Sequence, residues 1–309
     1  MRKTDRIYVA GHEGLVGSAI VRELYRQGYR NVITRHHQEL ELTIRPEVNR
    51  FFLSAKPDYV ILAAAKVGGI GANSKSPAEF LYDNLQIQNN VIDSSYWYGV
   101  KKLLFLGSSC AYPLKSTEIK ESDLLTGPLE PTNEAYALAK IAGVKMCQYY
   151  YEQYGFKTIS LMPCNIYGPG DNFSTESSHV LASMLVKFSR AVKYGLPVVR
   201  LWGTGDPLRE FLYVDDLARA CVTSMGLPHD HGYVYNIGST EEISITALAE
   251  KIARLTGFKG QIVWDHSKPD GAFRKKLDTS QTDIWFSPTV SLDEGLKRTL
   301  EWYKCNPGS

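Results

Sequence analysis

Three glycines, each three residues from the next, follow the first apolar run of the chain and constrain its fold more than any other feature. Residues 6–10 are an apolar run with the length and composition of a β-strand, and Gly11, Gly14 and Gly17 come directly after it. Helical periodicity then continues to a stop near residue 28. A strand, a glycine loop and a helix in this order predict a βα unit whose backbone N–H groups approach a pyrophosphate.

Strand-like and helical stretches alternate after this unit, as far as a region rich in Pro and Gly at residues 163–170. We therefore predict an α/β fold with a Rossmann-type doubly wound parallel sheet and a smaller, discontinuous α/β substrate-binding lobe. The nucleotide-binding domain is predicted at residues 1–170 and 211–240, and the lobe at residues 171–210 and 241–309. A chain of 309 residues is long enough for both.

The residues after the second and third predicted strands indicate what the sheet binds. Arg35 follows the second strand, and the next two residues are histidines. An arginine at this position suits the 2′-phosphate of NADP(H). Ala64 and Ala65 follow the third strand, where small side chains allow the close approach of a flat ligand or simply pack against a helix.

A reactive pattern follows the apolar strand predicted at residues 103–107. Ser108 and Cys110 stand at its carboxyl end, where open α/β sheets place their ligands. Further on, Tyr136 and Lys140 are four residues apart on a predicted helix and so share one face. We expect the lysine cation to favour the phenolate and to bring Tyr136 toward working pH as a proton donor.

The carboxyl-terminal half contains cations that could meet a diphosphate, although each alone is more often a solvated surface charge. They are Lys187, Arg209, Arg274 and Lys275. His179 stands where another helix is predicted to begin, a position at which histidine more often makes hydrogen bonds than performs catalysis.

Composition excludes several classes of function. Thirty-five basic and 33 acidic side chains leave a net charge of +2, so no field attracts nucleic acid or an anionic membrane. The five cysteines show no close-spaced pairs typical of metal sites, and there is no apolar leader or run of about 18 apolar residues. We expect a cytoplasmic protein with no metal.

With these motifs placed, the chain resembles the extended short-chain dehydrogenases/reductases and, within them, the GDP-L-fucose synthase family. The resemblance covers nearly the whole chain. Its most specific stretches are residues 64–70, 106–110, 128–134, 171–173, 178–180, 209–211 and 268–271.

This resemblance implies a bifunctional enzyme that epimerises GDP-4-keto-6-deoxy-D-mannose at C3 and C5 and reduces C4 with NADPH. It implies Cys110 as base and His179 as acid in epimerisation, and Tyr136 as proton donor in reduction, with Ser108 polarising the carbonyl and Lys140 assisting. Members of the family are generally homodimers that pair through helices like those at residues 77–98 and 134–154.

The resemblance also implies two sets of ligand contacts. For NADP(H) they are Gly11, Glu13, Gly14, Leu15, Val16, Gly17, Arg35, Ala64, Ala65, Leu106, Gly107, Ser108, Tyr136, Lys140, Pro163, Asn165, Ile166 and His179. For the GDP-sugar they are Asn165, Lys187, Trp202, Arg209, Lys268, Arg274 and Asp278.

One departure affects cofactor binding: Glu13 stands where relatives usually carry an arginine that helps to bind the 2′-phosphate. Two alternatives remain open from the sequence. One is a 4-epimerase or 4-reductase acting on another nucleotide sugar, and the other is a non-catalytic NADP-binding regulator.

Overall fold

The computed structural model describes residues 1–115, 117–174, 178–228 and 231–306. The strands over these residues are β1 (Ile7–Ala10), β2 (Val32–Ile33), β3 (Tyr59–Leu62), β4 (Lys102–Leu106), β5 (Thr158–Pro163), β6 (Asn165–Tyr167), β7 (Val198–Trp202), β8 (Leu208–Tyr213), β9 (His231–Ile237), β10 (Glu242–Ser244), β11 (Gln261–Asp265) and β12 (Arg274–Lys275). The α-helices are α1 (Leu15–Arg26), α2 (Arg45–Ala55), α3 (Ile70–Lys75), α4 (Pro77–Trp97), α5 (Glu134–Tyr154), α6 (Val180–Tyr194), α7 (Val214–Met225), α8 (Ile245–Thr256) and α9 (Leu292–Cys305).

The main sheet has six strands in the order β2-β1-β3-β4-β5-β9, and every neighbouring pair is parallel. Strands β1, β4 and β5 are buried along their whole length, as expected where helices cover both faces of a parallel sheet. The strand order reverses between β1 and β3. Ligands of open α/β sheets bind at the carboxyl ends of the strands at such a reversal.

A second hydrophobic core lies among α6, β7, β8, α8 and α9. Its sheet has the order β10-β8-β12, with β6 also paired to β8, while β7 and β11 form a separate parallel pair. The predicted α/β architecture, a Rossmann-type sheet with a smaller α/β unit, is therefore confirmed.

Strand β8 belongs to both cores. Phe211 and Tyr213 pack in the smaller core, while Leu212 between them packs in the larger one. Leu277, predicted in the smaller unit, also lies in the larger core. The domain boundaries stay a prediction, and the boundary at residue 211 falls inside this shared strand.

None of the helices in the described ranges combines the length and the apolar character needed to cross a membrane.

Candidate active site

The glycine loop joins β1 to α1 at the point where the strand order reverses. Gly11 has a φ of +82°, and a Cβ there would lie 2.7 Å from the backbone of Ala64 at the end of β3. A Cβ on Gly17 would lie 2.0 Å from the carbonyl oxygen of Gly11. Both positions therefore require glycine, which holds strand, loop and helix in close contact.

The loop is suited to an anion. Helix α1 begins at Leu15 after Gly14, which provides no side-chain cap, and its first turn contains no acidic residue. The first N–H groups of a helix have no partner within it, and they lie at the positive end of its dipole. The amides of Leu15, Val16 and Gly17 at this helix start form an arrangement that fits the pyrophosphate of NADP(H), and their contact with the cofactor stays a prediction.

Glu13, in the glycine loop, contacts His36, which follows β2. Glu13 Oε1 lies 2.8 Å from His36 Nδ1, and this bond lowers the pKa of Glu13 and raises that of His36. Arg35 is exposed and donates to the carbonyl oxygen of Thr34. The structure thus brings His36 to the carboxylate of the glycine loop, and the contact of Arg35 with a 2′-phosphate stays a prediction.

The Glu13–His36 pair also concerns the prediction that the protein holds no metal. Glu13, His36 and His12 can bring three potential ligand atoms within 4.8 Å of one another. Glu13 and His36 are exposed and already bonded to each other, so the expectation stays a prediction.

A buried asparagine holds the loop that follows β3, which contains Ala64 and Ala65. Asn84 of α4 accepts a hydrogen bond of 2.9 Å from the amide of Lys66 and donates one of 3.0 Å to its carbonyl oxygen. The side chain of Lys66 points away from the loop and forms ion pairs with Glu79 and Asp83. The sequence analysis did not single out Asn84, because nothing local marks a buried amide that binds a loop 18 residues away.

The end of β4 carries the predicted reactive residues on one short 3₁₀ turn, Ser109–Ala111. The hydroxyl of Ser108 accepts a hydrogen bond of 3.2 Å from the amide of Cys110. Gly107 lies just before this turn, and a Cβ there would meet the side chain of Met162 at 2.3 Å. Ser108 and Cys110 are therefore held against each other by the backbone.

Tyr136 and Lys140 both lie on α5, and the Lys140 Nζ atom is 5.6 Å from the centroid of the Tyr136 ring. Lys140 is buried, and burial lowers its pKa to about 8. Burial also raises the pKa of Tyr136, with a smaller contribution from Cys110, while the hydrogen bond to Ser108 opposes the rise. The expectation that Lys140 lowers the pKa of this phenol is wrong in this structure, because desolvation outweighs every charge nearby.

Two donors contact the sulfur of Cys110. Asn133, just before α5, places Nδ2 at 3.5 Å, and Lys275, on β12, places Nζ at 3.6 Å. Asn133 Oδ1 is buried and has no hydrogen-bond partner among the described residues. Lys275 was predicted as one of several cations for a diphosphate, whereas the structure places its amine on the thiol.

His179 is the residue immediately before α6, and its carbonyl oxygen accepts the amide of Ser183. Its side chain is exposed to solvent, and surrounding protein groups nevertheless desolvate the imidazole enough to lower its pKa. Within the part of the chain that the structure describes, the hydroxyl of the neighbouring Ser178 is buried and has no hydrogen-bond partner. The start of α6 therefore presents polar groups that are available to a ligand.

Two predicted substrate cations are partly desolvated. Arg209 on β8 is half-buried, and burial lowers the pKa of its guanidinium. Lys187 on α6 donates to the carbonyl oxygen of Arg200, and burial lowers its pKa as well. Desolvated cations of this kind are suited to phosphate oxygens.

Trp202 and Lys268 lie together, with the lysine Nζ 5.7 Å from the centroid of the indole ring. The indole is 54% exposed, so a planar group can stack on it.

Two of the predicted substrate residues have other partners. Arg274 is held by Glu242 through three hydrogen bonds of 2.9–3.1 Å. The carboxylate of Asp278 accepts a hydrogen bond of 2.9 Å from the amide of Ser280. Instead, Arg209 interacts with the carboxylate of Asp270. Asp270 also accepts hydrogen bonds from the amide and the hydroxyl of Thr204.

The end of β5 supplies the remaining predicted contacts. Pro163 is its last residue, and Ile166 lies on β6 next to it. Asn165 is exposed, and its amide donates to the carbonyl oxygen of Glu210 on β8 at 2.8 Å. This bond adds to the pairing of β6 with β8, the strand that carries Arg209.

A Rossmann-type sheet with a glycine loop, and a strand-end serine facing a Tyr-x-x-x-Lys helix, define an oxidoreductase of the short-chain dehydrogenase/reductase class. The model of the NAD dependent epimerase/dehydratase family matches residues 7–238, and the chain belongs to this family.

Three relatives illustrate the match. GDP-L-fucose synthase 1 of Arabidopsis thaliana is 54% identical over 310 residues, which cover 98% of this chain and 94% of the relative. A GDP-L-fucose synthetase from Naegleria fowleri solved with NADP has a TM-score of 0.89 and 29% identity, over 99% of this chain and 96% of that one. A GDP-6-OMe-4-keto-L-xylo-heptose reductase from C. jejuni has a TM-score of 0.92 and 34% identity, over 99% of both chains.

Proposed function

We propose that this protein converts GDP-4-keto-6-deoxy-D-mannose to GDP-L-fucose, by epimerisation at C3 and C5 followed by NADPH-dependent reduction at C4. The observation that carries the proposal is the position of Tyr136, which forms a hydrogen bond with Ser108 and interacts electrostatically with Cys110 at the end of β4. It places a thiol suited to proton abstraction beside a Ser–Tyr–Lys set suited to hydride transfer. The relatives that share nearly the whole chain and bear the name GDP-L-fucose synthase support it.

Epimerisation requires a base and an acid around a sugar whose C4 ketone acidifies the protons at C3 and C5. Cys110 removes a proton as a thiolate, which is the basic form of cysteine. His179 returns a proton to the opposite face of the resulting enolate. The unpartnered hydroxyl of Ser178 and the unpartnered amide oxygen of Asn133 are available to the sugar hydroxyls.

Reduction requires a proton donor at the C4 oxygen. When bound, NADPH supplies the hydride. Tyr136 gives its phenolic proton to the oxygen, and the Ser108 hydroxyl orients the carbonyl before transfer. The raised pKa of Tyr136 keeps the phenol protonated and ready to donate. Lys140, anchored to the carbonyl oxygen of Leu106, supports the tyrosine and the nicotinamide ribose.

The GDP portion of the substrate lies against the smaller unit. Lys187 and Arg209 bind the diphosphate, and Trp202 with Lys268 contacts the nucleoside. Asp270 keeps Arg209 and the Thr204 loop together. Arg274 is bound to Glu242 and Asp278 accepts the amide of Ser280, and both stay predicted contacts of the substrate.

We propose a homodimer that pairs through α4 and α5. These helices pack on each other and expose large apolar side chains: Tyr82, Trp97, Leu138, Tyr149 and Tyr154. An exposed apolar surface of this kind on two adjacent helices is typical of subunit contacts. The five free cysteines fit a reducing compartment, and we propose that the protein works in the cytoplasm.

A second function deserves a test because of the similarity to a C4 reductase that acts on another GDP-sugar. A plain 4-reductase would share the Ser–Tyr–Lys set but would leave C3 and C5 unchanged. A non-catalytic NADP-binding protein would lack turnover altogether.

One incubation separates these functions. The protein is mixed with GDP-4-keto-6-deoxy-D-mannose and NADPH in ²H₂O, and the product is identified by NMR and mass spectrometry. GDP-L-fucose with deuterium at C3 and C5 supports the proposal. Reduced product without deuterium at these carbons supports the 4-reductase, and unchanged substrate supports the binding protein.

A further inference from the structure

The thiol of Cys110 lies against a cation that comes from the other unit of the molecule. Lys275 Nζ is 3.6 Å from the Cys110 sulfur, although the two residues are separated by 165 positions in the chain. The sulfur is half-buried at the end of β4, and the amide of Asn133 contacts it from a second direction.

The pairing of the smaller sheet holds Lys275 in this position. Lys275 on β12 is the register partner of Arg209 on β8, so the two side chains share one face of the sheet. Arg274, one residue earlier, points to the opposite face and is bound there by Glu242 of β10. The three strands therefore fix the direction from which the lysine approaches the sulfur.

The charged and titratable groups around the sulfur have a consistent sign. Among the described residues, Cys110 interacts with Lys275 from β12, with Arg209 from β8 and with the phenol of Tyr136 from α5. Two of the three are cations, and the third is neutral while its proton remains in place. A neighbouring ammonium favours the thiolate over the thiol, and the thiolate is the form that can remove a proton from carbon.

We propose that Lys275 is a positioning residue that keeps Cys110 in its thiolate form, so that the smaller unit activates the base of the epimerisation. The inference rests on the proposed role of Cys110. It assigns to Lys275 a function different from the diphosphate contact expected from its charge alone.

Alkylation of the free enzyme tests this without substrate or cofactor. The rate of reaction of Cys110 with iodoacetamide is measured from pH 5 to 10 by peptide mass spectrometry, with the exposed Cys305 of the same molecule as an internal reference. In the wild type, we expect the midpoint for Cys110 to lie about one pH unit or more below that for Cys305. A midpoint equal to or above that of Cys305 overturns the proposal without the need for any variant.

Variants assign the effect to the lysine. Lys275→Met is expected to raise the midpoint for Cys110 by about one pH unit or more, while Lys275→Arg, which keeps the charge, restores most of the wild-type profile. Lys297→Met, which changes an exposed lysine on α9, is the matched control. An unchanged Cys110 midpoint in Lys275→Met, especially with weakened binding of GDP, would make Lys275 a diphosphate ligand and overturn the inference.

The failure of this inference and the failure of the proposed function have different signatures. A low Cys110 midpoint that rises in Lys275→Met, without deuterium exchange at C3 and C5 in the wild type, supports the Lys275 assignment and contradicts the proposed epimerase. Exchange in the wild type together with an unchanged midpoint in Lys275→Met contradicts only the inference.

Discussion

Lys140 donates a hydrogen bond of 2.7 Å to the carbonyl oxygen of Leu106, the last residue of β4. This bond joins the middle of α5 to the strand that delivers Ser108 and Cys110. The ammonium is buried beside the Tyr136 ring, so a hydrogen bond to a backbone oxygen is needed to hold the charge there. The relative position of the tyrosine and the serine therefore depends on the same lysine that supports proton transfer.

Replacing Tyr136 by phenylalanine is expected to abolish reduction while NADPH still binds. The ring stays but the transferable proton is lost, so kcat for reduction should fall by about 10²–10⁴-fold, as is typical for acid–base groups. Stopped-flow absorbance at 340 nm measures the reduction, and isothermal titration measures binding of the cofactor. Tyr194→Phe, at the exposed end of α6, is the control. A reduction rate near that of the wild type would remove Tyr136 from the mechanism.

Replacing Cys110 by serine is expected to separate the two activities. A serine hydroxyl is a much weaker base than a thiolate, so proton exchange at C3 and C5 should stop. Hydride transfer to the unepimerised keto sugar should continue, because Ser108, Tyr136 and Lys140 are retained. Deuterium incorporation with NADPH withheld is the assay, and Cys305→Ser is the matched control. Unchanged deuterium incorporation in the Cys110 variant would show that Cys110 has only a packing role.

Changes at the adenosine end of the cleft are expected to alter cofactor preference. Glu13→Arg replaces a carboxylate with a donor for the 2′-phosphate and releases His36, so NADPH should bind about 10-fold more tightly, since a charge-assisted hydrogen bond contributes about 1.5–3 kcal/mol. Binding of NADH should change little. Arg35→Ala should erase most of the preference for NADPH that the wild type retains.

Titration of each variant with both cofactors checks this prediction, with Glu250→Arg on α8 as a remote control. If Arg35→Ala leaves the ratio of the two dissociation constants unchanged, Arg35 is only a surface charge. The Glu13–His36 contact would then be the candidate determinant of the preference for NADPH over NADH.

Stability is expected to fall with rising pH through the ionisation of Glu210. This side chain is buried, and burial raises its pKa from 4.5 to about 7, although it accepts the amide of Leu277. The folded state therefore keeps a proton that the unfolded chain releases. The stabilisation is present below about pH 4.5 and is lost as the pH rises to about 7, by about 3 kcal/mol.

Glu210→Gln cannot ionise, so its free energy of unfolding relative to the wild type should increase between pH 5 and pH 8. Urea denaturation at the two pH values measures this change. Glu301→Gln, an exposed position on α9, should show no such trend. The same difference at both pH values would mean that Glu210 stays in one protonation state in the folded protein.

The loops, strands and helices that depend on local spacing could be predicted from the amino-acid sequence. The glycine loop, the buried strand before Ser108 and the helix with Tyr136 and Lys140 were predicted close to their observed bounds. The cap of α8 is local as well, since Ser244 accepts the amide of Ala247 three residues later. Each of these features follows from a short pattern of apolar, small or capping residues, whose effect does not require knowledge of the rest of the chain.

Only the tertiary structure decided which distant side chains meet. The contacts between Lys275 and Cys110 and between Glu13 and His36, and the role of Asp270 beside Arg209, come from the pairing of strands that are far apart in the chain. The pKa of Tyr136 was predicted with the wrong sign because spacing reveals a neighbouring cation but not the depth of burial. Desolvation depends on everything packed around a group, and this is decided only when the whole chain has folded.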